Sequence, residues 1–97
     1  MIGDMKSLDV VHNKDASRFE SDLGDDIALL NYIQRGDVIS FMHTGVPPAF
    51  RGQGIAARMT GIALDYARSK DLTVVPRCSY TADYIHKHPE YQILVED

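Results

Sequence analysis

The sequence has little cysteine, no block of like charge and no long hydrophobic run, and each shortage excludes a class of protein. One cysteine in 97 residues cannot form an internal disulfide and offers no paired zinc ligands, which predicts a reducing, intracellular setting. Fourteen Asp and Glu against ten Lys and Arg give a formal net charge of -4, which argues against nucleic acid as the main partner. No apolar run reaches membrane-spanning length, and the N-terminus lacks the apolar region of a signal peptide. We therefore expect a cytoplasmic protein with no nucleic-acid partner and no membrane partner.

Length and composition are those of one small globular domain. Hydrophobic residues make up 44% of the chain and charged residues 25%, which is ordinary for a globular protein. A chain of this size buries roughly two-thirds of the surface that its unfolded form exposes. Residues 1–97 are therefore predicted to form a single domain, with its core at about 8–95, as a monomer or a weak homodimer.

The spacing of apolar residues changes from a period of two to a helical period halfway along the chain. Strands are predicted at residues 8–12, 18–23, 27–34 and 38–46. The last two are apolar on both faces, which predicts central strands covered on each side, and Arg35-Gly36-Asp37 is predicted to be the turn between them. Helices follow at 54–70 and 79–87, with short strands at 72–75 and 91–95. This order predicts an α+β fold in which an antiparallel meander feeds a βαβ crossover, giving a mixed sheet with two helices.

The loop Arg51-Gly52-Gln53-Gly54-Ile55-Ala56 lies between a predicted strand and the long predicted helix. Its two glycines allow a tight turn and a close approach of backbone to ligand. The first amides of a helix are unpaired and carry the positive end of its dipole, and Arg51 adds a cationic fork of donors. This combination predicts a phosphate or pyrophosphate site.

The same loop also contains Gly52-x-Gly54-x-x-Ala57, which matches a dinucleotide-binding fingerprint. That fingerprint should follow a strand directly, and an acidic residue should end the next strand. Here Pro47-Pro48-Ala49-Phe50 intervenes, and Val75 is followed by Pro76-Arg77. The chain also has no room for a second mononucleotide half, so we disfavour a dinucleotide ligand.

Four segments of the chain carry a resemblance to a known family. They are Arg51-x-x-Gly54-x-Ala56, His43-Thr44-Gly45-Val46-Pro47-Pro48, Val74-Val75-Pro76-x-Cys78 and His88-Pro89-x-Tyr91. The first is similar to the pyrophosphate signature of the GNAT superfamily of acyl-CoA-dependent N-acetyltransferases. Together, over residues 8–95, the segments resemble its small, single-domain YjdJ-like subgroup.

The resemblance implies acetyl-CoA as co-substrate and a small amine or a protein amine as acceptor. It implies that the CoA pyrophosphate is held by the pyrophosphate loop, whose residues are Arg51, Gly52, Gln53, Gly54, Ile55 and Ala56. The strand end Thr44-Gly45-Val46 would pair with the pantetheine arm, and a backbone amide near Val46 would stabilise the thioester oxyanion. Cys78 and Tyr80 would line the thioester pocket.

Cys78 and His86 are the catalytic candidates. His86 aligns where the family often has a tyrosine that protonates the leaving thiolate, and an imidazole can serve in that role. Gly45 stands where related sequences often carry a glutamate base, so the resemblance assigns no base. Cys78 precedes a predicted helix and follows Arg77, which favours its thiolate. Its thiol is therefore predicted to line the pocket, to pack inertly or to carry the acyl group.

Three alternatives to an acetyltransferase follow from the same residues. A CoA-binding module without turnover would fit the missing carboxylate at Gly45 and the short turn between the first two strands, where larger relatives wall the acceptor site. A Cys-His-Asp hydrolase could be built from Cys78, His86 or His43, and Asp83. A zinc site of Cys78, His86 and His88 is disfavoured, because residues two apart at a helix end point in different directions.

Overall fold

A single five-stranded sheet organises the chain in the computed structural model, which describes residues 9–95. The strands are β1 (Val10–Asn13), β2 (Arg18–Asp22), β3 (Ile27–Arg35), β4 (Val38–Gly45) and β5 (Thr73–Pro76). They lie in sequence order across the sheet. The first four pair antiparallel, and β5 pairs parallel to β4. The predicted α+β class with a mixed sheet is confirmed.

The turn between β3 and β4 also matches the prediction from the sequence. Only Gly36 and Asp37 separate the two strands, and Gly36 has a φ of 58°. A two-residue hairpin turn needs positive φ, which glycine adopts without steric cost. The Arg-Gly-Asp triplet is therefore a hairpin connection.

Two α-helices and two 3-10 helices complete the part of the chain that the structure describes. They are a 3-10 helix at Pro48–Phe50, α1 (Ile55–Ser69), α2 (Ser79–Lys87) and a 3-10 helix at Pro89–Leu94. The buried residues of α1 include Met59, Ala63 and Ala67, which recur every fourth position and place one stripe against the sheet. Both α-helices agree with their predicted spans to within one residue at each end.

The predicted strand at 91–95 is wrong. Residues 91–94 belong to the 3-10 helix, and only Val95 forms an isolated bridge, to Val74. Pro89 occupies the first position of that helix, where its fixed φ suits a helical turn. Tyr91 is buried, and its hydroxyl donates a 2.7 Å hydrogen bond to Asp65. Burial, and to a smaller extent this contact with a carboxylate, raises the pKa of Tyr91 to about 12.

The prediction that the two central strands are covered on both faces is also wrong. The core side chains of these strands, among them Leu30, Ile39 and Phe41, pack with α1 and α2 residues on one face. On the other face Ile33 is 46% exposed and Met42 39% exposed. We call this side of β3 and β4 the uncovered face. Its apolar residues had suggested a second covering layer, which the described residues do not supply.

The Thr60 hydroxyl of α1 is buried and has no hydrogen-bond partner among the described residues. An unpaired buried hydroxyl carries an uncompensated desolvation cost. Replacing Thr60 with Val is therefore expected to raise the free energy of unfolding by about 1 kcal/mol, measured by urea denaturation. A variant as stable as the parent chain, or less stable, would show that the hydroxyl has a partner in solution.

His12 of β1 sits in an aromatic cluster between sheet and helix. Its ring stacks on Phe19 with a centroid distance of 4.1 Å, and its Nε2 shares a 2.6 Å hydrogen bond with the Tyr32 hydroxyl. Burial, with a smaller effect of Lys14, lowers the pKa of His12 below its ordinary value of 6.5. The neutral ring is thus the form that the folded protein favours.

This shift predicts a loss of stability on acidification. Because the unfolded chain binds a proton to His12 more readily than the folded chain, the stabilisation is complete above pH 6.5 and declines as the pH falls below it. Urea unfolding should give a lower free energy at about pH 5.5 than at about pH 7.5. A His12→Phe variant should show a smaller difference, and an unchanged difference would contradict the assignment.

Candidate active site

The parallel strands β4 and β5 separate halfway along β4. Their pairing runs from Val38 opposite Thr73 to Phe41 opposite Pro76, and the Cys78 amide then donates a 2.8 Å bond to the Phe41 carbonyl. The second half of β4, Met42–Gly45, continues with no described strand on that side. A cavity of about 930 Å³ opens at this end of β4.

A bulge in β4 decides which side chains reach this cavity. Tyr32 lies opposite Phe41 and Asn31 lies opposite His43, so Met42 is the extra residue. A bulge residue shifts the alternation of the strand by one position. His43 is therefore exposed and lines the cavity together with Asn31, instead of following Ile39 and Phe41 into the core.

Most of the predicted binding residues line this one cavity. They are Thr44, Gly45, Val46, Arg51, Gly52, Gly54, Ile55, Ala56 and Tyr80. Gln53 is exposed but does not line it, and Cys78 reaches it through a neighbour, as described below. The structure therefore brings together the strand end, the glycine loop and the start of α2.

The glycine loop has the backbone geometry of an anion cradle. Gly52 and Gly54 have φ values of 82° and 81°, which side-chain-bearing residues rarely adopt. Gly54 is the N-cap of α1, and the first helical bond runs from the Arg58 amide to the Gly54 carbonyl at 3.0 Å. The amides of residues 55–57 thus lie in the turn whose donors have no helical acceptor. Arg51 donates from Nε to the Val46 carbonyl at 3.0 Å, which ties the loop to the end of β4.

Cys78 is held beside the cavity wall. Its side chain is 8% exposed, and its Sγ lies 3.3 Å from the hydroxyl of Thr44, which lines the cavity. Burial alone raises the pKa of this thiol. The hydrogen bond with the Thr44 hydroxyl and the backbone amides of Tyr80 and Thr81 at the start of α2 outweigh burial and lower the pKa below the ordinary 9.0.

Arg77 and His86 do not join this thiol. The Arg77 side chain lines a separate groove on the uncovered face, so the stabilisation of the thiolate predicted from Arg77 is replaced by the hydrogen bonds of Thr44, Thr81 and Tyr80. His86 is exposed in the last turn of α2 and does not line the cavity. Asp83 forms an ion pair with Lys87 at 3.1 Å. The structure therefore does not assemble the hydrolase triad through His86.

Two residues of the cavity were not assigned roles from the sequence. The sequence offered His43 only as an alternative histidine of a hydrolase, and it gave Asn31 no role. The Oδ1 atom of Asn31 is buried with no hydrogen-bond partner within residues 9–95. No pattern in the sequence marks the bulge that places these two side chains together.

Two other features bear on the class of protein. No cluster of three or more metal-ligating side chains occurs within the described range. Nor does any helix there have the length and apolar character needed to cross a membrane.

The mixed five-stranded sheet and the glycine loop that opens α1 match the GNAT class of fold. A family model described as GCN5-related N-acetyl-transferase matches residues 18–94, and the chain belongs to this family. Protein NATD1 of Xenopus tropicalis is 34% identical over 91 residues, which cover 91% of this chain and 84% of the relative. Protein NATD1 of Mus musculus is 34% identical, with 88% and 80% covered.

A solved structure gives the same result. The NMR structure of a GCN5-like putative N-acetyltransferase from Staphylococcus aureus superposes with a TM-score of 0.72 at 25% identity. The match covers 95% of this chain and 91% of that one. The fold predicted from the pyrophosphate loop and its neighbouring segments is therefore confirmed.

Proposed function

We propose that the protein is an acetyl-CoA-dependent N-acetyltransferase that transfers the acetyl group directly to an amine. The observation that carries the proposal is that the glycine loop, the open half of β4 and His43 all line one cavity. In the transfer, the amine nitrogen bonds to the thioester carbonyl carbon while the carbon–sulfur bond breaks. His43 accepts the proton of the amine, and Cys78 donates a proton to the departing thiolate through the Thr44 hydroxyl that lines the cavity.

The loop fits the pyrophosphate of acetyl-CoA. An added Cβ at Gly52 or Gly54 would meet no atom within 4 Å, so the space beside both backbones is open to a ligand. The amides at the start of α1 supply donors for phosphate oxygens, and Arg51 supplies positive charge. We assign Arg51, Gly52, Gln53, Gly54, Ile55 and Ala56 to the pyrophosphate, and Thr44, Gly45, Val46 and Tyr80 to the pantetheine arm and the thioester.

His43 supplies the base that the family resemblance leaves unassigned. A Cβ built on Gly45 would lie 3.5 Å from His43 Nε2. The imidazole thus occupies the space next to position 45, where related sequences often carry a glutamate. A histidine can accept a proton near neutral pH. Asn31 lies opposite His43, and its buried Oδ1 has no hydrogen-bond partner within residues 9–95, so it can accept an N–H of the acceptor when the side chain turns toward the cavity.

Cys78 supplies the acid. Its lowered pKa makes the thiol a stronger proton donor than an ordinary cysteine. The Cys78 Sγ lies 3.3 Å from the hydroxyl of Thr44, which lines the cavity. Thr81 has a buried hydroxyl with no partner at hydrogen-bond distance among the described residues. This hydroxyl can turn toward the sulfur and stabilise the thiolate after transfer. The amide of Val46 is assigned to the oxyanion of the carbonyl.

Calorimetry with acetyl-CoA, followed by thiol release with a panel of amines, tests the proposal. We expect binding and amine-dependent release of the CoA thiol. Binding without release for any amine would favour the alternative, a CoA-binding module. No binding at millimolar ligand would reject both.

A second route, in which Cys78 itself carries the acetyl group, is favoured by its lowered pKa. Intact mass measurement after mixing with acetyl-CoA, without acceptor, distinguishes the routes. Direct transfer predicts no acetylated protein. A single acetyl group that is absent in Cys78→Ala and lost on adding amine would establish the covalent route.

A further inference from the structure

A second concavity on the uncovered face follows the candidate active site along the sheet. It has a volume of about 270 Å³ and is lined by Ile33, Arg35, Val38, Ser40, Met42 and Arg77. We call it the arginine groove. Its floor is apolar, with Ile33 46% and Met42 39% exposed. Exposed apolar residues grouped in one concavity are a feature of interaction surfaces.

The charge of the groove is opposite to that of the chain. The whole sequence carries a net charge of -4, yet the lining contains two arginines and no acidic residue. Neither Arg35 nor Arg77 forms an ion pair with any described residue. A guanidinium binds a carboxylate through paired donors, so the groove is complementary to an acidic, partly apolar ligand.

The arginine groove lies next to the cavity that holds His43. Asn31, in the cavity, and Ile33, in the groove, are two residues apart on β3 and so lie on the same face. His43 and Met42 are neighbours on β4. Along a strand, Asn31 and Arg35 are about 13 Å apart. An extended peptide with its amine at His43 would therefore place a side chain three or four residues away at the arginines.

We propose that the acceptor is a protein amine followed within about four residues by an acidic side chain, and that the arginine groove binds this acidic segment. The proposal rests on the proposed acetyl transfer, and it names the class of acceptor. An apolar residue between the amine and the acid would contact Ile33 and Met42. The segment would lie extended along the uncovered face, where the described chain leaves room.

Two peptides of equal length test the proposal. Both have a free N-terminal amine and an apolar third residue, and they carry either Glu or Gln at positions four and five. A fluorophore at the C-terminus reports binding by anisotropy, independently of turnover. We expect the Glu peptide to bind more tightly than the Gln peptide, and Arg35→Gln and Arg77→Gln each to weaken its binding by about threefold to fivefold.

The control is Lys70→Gln, which removes the same charge from an exposed lysine at the C-cap of α1. We expect Lys70→Gln to leave the affinity for both peptides unchanged. We also expect the arginine variants to leave the affinity for acetyl-CoA unchanged. Equal affinity of the two peptides, or an equal effect of Lys70→Gln, would overturn the proposal. So would a homodimer disrupted by Arg77→Gln with no effect on peptide binding.

Thiol release separates this proposal from the proposed function. Release with a small amine, together with no preference for the Glu peptide, would overturn only the docking of the acidic segment. Arginine-dependent binding of the Glu peptide without release from any amine would reject the transferase and leave the groove as a binding site. Faster release with the Glu peptide, lost in the arginine variants, would support both.

Discussion

Replacing His43 with Gln is expected to lower kcat by about 10²- to 10⁴-fold, the usual contribution of a general base. Gln keeps a polar side chain of similar reach but cannot accept the proton of the attacking amine. The acetyl-CoA affinity should change little, because the pyrophosphate loop and α1 are untouched. Initial rates of thiol release at saturating acetyl-CoA, with calorimetry on the same variant, measure the two effects separately.

His86→Gln is the matched control for this experiment. His86 is exposed on α2 and does not line the cavity, so its replacement is expected to leave kcat unchanged. A loss of rate in His86→Gln with normal rates in His43→Gln would reject His43 as the base and restore the role first predicted for His86, protonation of the leaving thiolate. Rates equal to those of the parent chain in both variants would require a base other than His43 or His86.

The elements around the proposed cofactor site could be predicted because their signals are local. The glycine loop, the helical spacing of α1 and the turn at Gly36 are each fixed by a few neighbouring residues. The sequence therefore located the predicted cofactor loop and the spans of α1 and α2 to within one residue at each end. It also placed the parallel strand after α1, since a crossover follows from the order of elements.

The place of His43, the proposed base, could not be predicted because it depends on a bulge. Regular alternation from Ile39 and Phe41 would direct His43 into the core, where a hydrogen-bonded structural role is the ordinary expectation. The extra residue Met42 shifts the register against β3 and turns His43 to the uncovered face. It also brings Thr44 to the side of Cys78. The pairing of β4 with β3 sets such a shift, and no pattern within β4 itself records it.

Two other differences between prediction and structure, at the uncovered face and at the 3-10 helix Pro89–Leu94, also have non-local causes. The apolar residues of β3 and β4 suit a strand with two covered faces, but α1 and α2 both pack on the same side. Tyr91 begins an apolar run that suits a strand, yet its hydroxyl bonds to Asp65 on α1. Whether a run becomes a strand or a helical turn then depends on which partner its side chains reach.

Replacing Gly54 with Ala is expected to weaken acetyl-CoA binding by about tenfold. Gly54 has a φ of 81°, and holding an alanine in the left-handed region costs roughly 1–2 kcal/mol. In the variant, the loop relieves this strain by moving out of the conformation that aligns the first amides of α1. The apparent affinity then falls in proportion to the fraction of loops that remain competent to bind.

Gly36→Ala is the control that separates strain from binding. Gly36 also has positive φ, at 58°, and an added Cβ there meets no atom within 4 Å, as at Gly54. It lies in the β3–β4 turn, outside the cavity. Both variants should lower the free energy of unfolding by about 1–2 kcal/mol, whereas only Gly54→Ala should weaken acetyl-CoA binding in calorimetry. The two substitutions introduce similar backbone strain, but only Gly54 lies in the pyrophosphate loop. Equal acetyl-CoA affinity in the two variants would therefore mean that the pyrophosphate is held elsewhere.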